Sequence, residues 1–142
     1  MSLSLEQLLH RLEDPATPVV WLDPALPAQL WAELPPAAAA RGFHVLNLGD
    51  AGPVFDLSSL LAAFGRLLPG SIFYDHSLPS LRAALLNLKP QARPACLVLF
   101  PDPDALRQND ESAFEDLIEL IENVDDLRRS RGWGGLKAVV RD

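Results

Sequence analysis

The stretch Ala95-Cys96-Leu97-Val98-Leu99-Phe100 is apolar at every position and is stopped by Pro101. A strand with one face in water alternates polar and apolar residues, whereas one without alternation has both faces covered. This segment therefore demands a central strand with a layer of structure on either side. A parallel sheet with helical crossovers meets that demand. The remaining apolar runs supply its neighbours. Val19-Val20-Trp21-Leu22, ended by Asp23-Pro24, reads as a short buried strand. Phe43 to Leu48 reads as another, followed by the turn Gly49-Asp50-Ala51-Gly52-Pro53. Leu136 to Val140 is the last, after the turn Gly132-Trp133-Gly134-Gly135.

Between the strands the spacing turns helical. Ser4 caps a first helix with Leu5, Leu8, Leu9 and Leu12 on one side, closed by Pro15 and Pro18. A second runs from about Pro27 to Arg41 with Leu30, Trp31 and Leu34. Pro35-Pro36 breaks or restarts it, and Gly42 ends it. Asp56 caps a third, whose buried stripe is Leu57, Leu60, Leu61, Phe64, Leu67 and Leu68; Pro69-Gly70 stops it. Ser77 caps a fourth. There Pro79 falls in the first turn, where its missing N–H costs little, and Leu78, Leu81, Leu85 and Leu88 share one face. Lys89 to Pro94 is a polar loop, and Asp102 to Gln108 a loop or single turn. The longest helix runs from about Asp110 to Ser130, with Phe114, Leu117, Ile118, Ile121, Val124 and Leu127 inward. Arg128, Arg129 and Arg131 lie at its C-terminal end, where they complement the helix dipole. The expected class is α/β, with a parallel sheet of three or four strands and an N-terminal helix–strand extension.

A chain of 142 residues has room for one proper core. Its net charge of −7 argues against direct nucleic-acid binding, which needs a basic face, and suits a basic protein partner steered by charge. No apolar run approaches the roughly 18 residues of a membrane span, and the N-terminus lacks the pattern of a signal peptide, so the cytoplasm is the expected location. Cys96 is the one cysteine, which leaves no internal disulfide and no cysteine-based zinc site. No two of His10, His44 and His76 show metal-ligand spacing, and no cofactor is expected. Enzymatic readings lack their parts. Cys96 opens a buried strand, and the glycine-rich turn follows a helix and precedes a strand, the reverse of a phosphate cradle. No nucleophile–base pair can be assembled.

Chemistry concentrates just before the fourth helix, at Phe73-Tyr74-Asp75-His76. The order of elements from Phe43 to Asp142, with an aromatic pair ahead of the second of two consecutive helices, resembles barstar, the inhibitor of the ribonuclease barnase. Residues 1–42 have no counterpart in that minimal fold. The family signature looks like Y-[YF]-G-x-N-[LW]-D-A-L. Here the matching stretch is Phe73-Tyr74-Asp75-His76-Ser77-Leu78-Pro79-Ser80-Leu81, in which the second aromatic and the two leucines match. The resemblance implies a protein-binding module that inhibits a ribonuclease. It also implies aspartates on the exposed face of this helix, placed in the nuclease's phosphate site. At those positions the chain has Pro79 and Ala83, and Arg82 stands where the family tends to have an aromatic. Close charge pairs at such interfaces couple by roughly 1.5–7 kcal/mol, and neither alanine nor proline can supply that.

A substitute acidic set exists. Ten of the nineteen acidic residues lie between Asp102 and Asp126. Glu111, Glu115, Glu119 and Glu122, spaced three or four apart, make a negative ridge opposite the apolar stripe. The ridge reads either as a solvated helix face or as a docking surface. Of Phe73 and Tyr74, one is expected in the core and the other exposed. The expected function is a barstar-like protein-binding module, a ribonuclease inhibitor or immunity protein with a diverged face made by Phe73, Tyr74, Asp75, His76, Arg82 and the ridge. Its expected partner is a protein such as a basic ribonuclease or toxin. Two alternatives stand beside it: a scaffold subunit that uses Trp21 and Trp31 of the extension, and an acidic mimic of nucleic acid.

Overall fold

The computed structural model describes residues 4–142; Met1 to Leu3, the start of the expected extension, lie outside the described residues. Four strands, β1 (Val19–Leu22), β2 (His44–Asn47), β3 (Ala95–Phe100) and β4 (Gly135–Arg141), form one all-parallel sheet in the order β1-β4-β3-β2. β3 is buried along its whole length, as its sequence requires. Cys96, Val98 and Phe100 join Leu136, Ala138 and Val140 on one face. They pack under α3 (Leu57–Leu67), α4 (Leu78–Asn87) and α6 (Glu111–Ser130). Ala95, Leu97 and Leu99 join Val20, Leu22 and Val139 on the other, under α1 (Leu5–Leu12) and α2 (Ala28–Ala40). The molecule is an α/β protein of three layers.

The N-terminal segment does more than decorate this sheet. β1 extends it in register from Val19 opposite Ala138 to Leu22 opposite Arg141, and α1 and α2 form the whole second helical layer. The chain crosses from β1 to the far edge over that layer. It then returns one strand at a time over the opposite face, which keeps all the crossovers of one hand.

Three local expectations need correction. α2 runs unbroken through Pro35 and Pro36. Burial of Leu30, Leu34 and Ala38 against the sheet offsets the hydrogen bonds that the two prolines cannot make. The stretch after β3, expected as a loop or single turn, forms the short helix α5 over Asp104–Asn109, anchored by the fully buried Leu106. Arg128, expected to complement its own helix, is instead fully buried and serves another. Its guanidinium donates to the carbonyls of Leu85 at 3.0 Å, Leu86 at 3.2 Å and Leu88, around the last turn of α4. It also donates to Lys89 O at 3.1 Å and Gly134 O at 2.7 Å. A helix end leaves carbonyls without partners. Arg128 supplies those donors from α6.

The glycines at the start of β4 answer to the same region. A Cβ at Gly134 would lie 1.8 Å from Ala92 O, and one at Gly135 would lie 2.1 Å from Asp125 Oδ1. Asp125 is 1% exposed and accepts from Leu136 N at 3.0 Å and Arg129 Nε at 3.0 Å, so α6 is stitched to the start of β4.

Candidate partner-binding surface

The segment between α3 and α4 doubles back along α3 and is held there residue by residue. Tyr74 is half-buried against the core, and its hydroxyl donates to Leu61 O at 2.5 Å. Burial, and then the neighbouring Asp75 carboxylate, push its phenol up to about 12. The His76 ring lies 4.7 Å from the Tyr74 ring, in a tilted stack. It rests over Gly65 of α3, where a Cβ would come 2.7 Å from His76 Nε2. His76 takes a left-handed φ of 63° to reach this position. Asp75 Oδ1 accepts from Ser77 Oγ at 2.5 Å and from Ser77 N at 3.2 Å. Hydrogen bonds from the Ser77 hydroxyl first, and the Ser80 hydroxyl next, hold the Asp75 carboxyl below its ordinary range. Ser77 in turn caps α4 by accepting from Ser80 N at 3.2 Å.

Three of the four residues expected at this site thus have partners within the loop and its flanking helices. Phe73 does not: its side chain is 80% exposed. The sequence assigns one aromatic to the core and one to the surface, and the structure distributes Tyr74 and Phe73 in that way.

α4 leads from this loop alongside α6. Glu111, Glu115, Glu119 and Glu122 are all exposed on α6, opposite its buried stripe, and span roughly 16 Å at 1.5 Å per residue. The ridge borders two different depressions. Glu119 lines a groove between the helices, in which Asp116 and Leu120 of α6 face Leu78, Pro79 and Arg82 of α4. Glu111 and Glu115 lie instead with Arg107, Gln108 and Phe114. Among the described residues, neither Arg82 nor any of the four glutamates forms an ion pair. Pro79 and Ala83 are exposed, so the positions at which the resemblance places aspartates are accessible and uncharged.

A second exposed region surrounds Trp21, which the scaffold alternative uses as a contact. Trp21 is 40% exposed because β1 is an edge strand. One side of its ring meets Phe114 at 6.0 Å, and the Arg107 guanidinium lies 5.6 Å from the Trp21 ring and 4.7 Å from the Phe114 ring. Arg107 sits on α5, and a stretch read as a loop or single turn is too short to show the helical spacing that would place it.

Among the described residues, no group of three His, Cys, Asp or Glu side chains is arranged to hold a metal ion, and no helix is long and apolar enough to cross a membrane. The Cys96 thiol is fully buried, and burial pushes its pKa up, away from the thiolate that a nucleophile needs. No protein-family model matches the chain, and no curated protein matches it. The fold class rests on the structure alone.

Proposed function

We propose that this chain is a protein-binding module of the barstar-like kind, with a diverged face that docks a basic protein such as a ribonuclease or toxin. The observation that carries this reading is Phe73, 80% exposed on a loop whose other side chains are tied down. An aromatic anchor on an ordered loop loses little freedom on binding, and such anchors dominate interface energies. The unpaired glutamates of α6 and the net charge of −7 add long-range attraction for a cationic partner. The reading requires no catalysis and no cofactor.

The test is capture from native lysate and medium with three baits: wild type, Phe73→Ala, and the double charge reversal Glu115→Lys with Glu122→Lys. The expected result is a basic protein held by the wild type. Phe73→Ala should weaken it by about 2 kcal/mol or more, and the double reversal should lower both affinity and its salt dependence. A partner whose affinity and salt dependence ignore all three changes would remove the assigned face. A captured nuclease would mean that inhibition proceeds without carboxylates at positions 79 and 83.

A further inference from the structure

The groove between α4 and α6 is bipolar. Arg82 stands on the α4 side, Asp116 and Glu119 on the α6 side, and Leu78, Pro79 and Leu120 supply an apolar lining. The two walls carry opposite charge yet do not close on each other, since Arg82 has no ionic partner among the described residues. A purely cationic partner satisfies one wall and is repelled by the other. The same holds in reverse for a polyanion.

We infer that this groove receives an amphipathic helical segment of the partner that carries acidic residues along one flank, basic residues along the other and an apolar stripe between. The apolar stripe covers Leu78, Pro79 and Leu120. The basic flank meets Asp116 and Glu119, and a carboxylate meets Arg82. Two neighbouring helices with an apolar seam offer the setting of helix-in-groove recognition, and the charged walls set the orientation of the guest. Specificity comes from Arg82, because a like charge placed against it penalises wrong partners. This rests on the protein-binding reading above and narrows its partner. The docking element is not uniformly basic even though the partner as a whole is.

The experiment uses the full chain and three labelled synthetic helical peptides with the same leucine stripe: one with Lys and Glu on opposite flanks, one with Lys on both, and one with Glu on both. Binding is read by fluorescence anisotropy at two salt concentrations. The bipolar peptide should bind the wild type roughly fivefold more tightly than the all-Lys peptide, the scale of one exposed charge pair gained and one repulsion removed. Arg82→Glu should invert that order, and Glu119→Lys should shift preference toward the all-Glu peptide. Tighter binding of the all-Lys peptide by the wild type, with no change of order in Arg82→Glu, would overturn the inference. So would a failure of all three peptides to bind at millimolar concentration. Neither result would touch the protein-binding reading, which stands or falls on Phe73→Ala and the double reversal at Glu115 and Glu122.

Discussion

His44 lies on the edge strand β2 with its Nε2 buried and without a hydrogen-bond partner. Burial first, and then the positive charges of Lys89 and Arg128, hold its pKa below the ordinary histidine value. The folded state thus resists a proton that the unfolded chain takes up near pH 6.5. Stability is therefore full above that pH relative to acid, and it is lost as pH falls through the depressed value. Chemical denaturation from pH 8 to pH 5 should show stability declining below about pH 6.5. His44→Leu should flatten that decline without lowering stability at neutral pH, because it removes an unpaired buried nitrogen. An unchanged slope in the variant would assign the titration elsewhere. Sequence could place His44 on a strand but not its nitrogen in a partnerless niche, which depends on what packs over the strand edge. The aromatic pair was more legible. The sequence separates one aromatic for the core and one for the surface, and the structure packs Tyr74, whose hydroxyl donates to Leu61 O, and leaves Phe73 exposed.

At the scale of elements, the helices that were read well are those whose signals are local. Ser4, Asp56 and Ser77 each cap where the sequence puts them, because a capping side chain meets backbone only two or three residues away. What stayed hidden is long-range. Arg128 reads as a dipole partner for α6, yet its acceptors Leu85, Leu86, Leu88 and Lys89 lie some forty positions back along the chain. A buried guanidinium is tolerated only when its N–H groups find acceptors. Here one side chain joins the C-terminal end of α4 to α6 and to the turn before β4. Arg128→Met keeps the apolar stem and deletes the donors. It should cost about 3 kcal/mol or more, since several buried carbonyls then lose a partner at once. Amide hydrogen exchange should show the loss of protection concentrated in residues 85–96. A loss spread evenly over the chain, or a change below about 1 kcal/mol, would mean that water or a rearranged side chain replaces the guanidinium. α4 also forms one wall of the bipolar groove, so the same residue ties that wall to α6.

For the molecule as a whole, the pattern of β3 forces a conclusion that the resemblance alone does not. The resemblance covers residues 43–142 and leaves residues 1–42 as an addition. Yet Leu97, Leu99 and Val139 point away from α3, α4 and α6, and α1 and α2 are what cover them. Without that layer, these three side chains would forfeit roughly 5–9 kcal/mol of burial at about 1.5–3 kcal/mol each, against a total stability of the order of 5–15 kcal/mol. Lys137 sharpens the argument. Its ammonium is buried on that same face and donates to Asp14 O at 2.6 Å and Thr17 O at 3.1 Å, both contributed by the segment that would be removed. A chain reduced to residues 43–142 should therefore aggregate or remain without cooperative structure. Adding Lys137→Leu to the truncated chain should recover nothing, because removal of residues 1–42 opens that face to water, where the ammonium is solvated and a leucine adds exposed apolar surface. Size-exclusion chromatography and thermal unfolding followed by circular dichroism decide between the cases. A monomer that unfolds cooperatively from the truncated chain would show that the three-stranded half is sufficient, and that residues 1–42 serve the partner rather than the core.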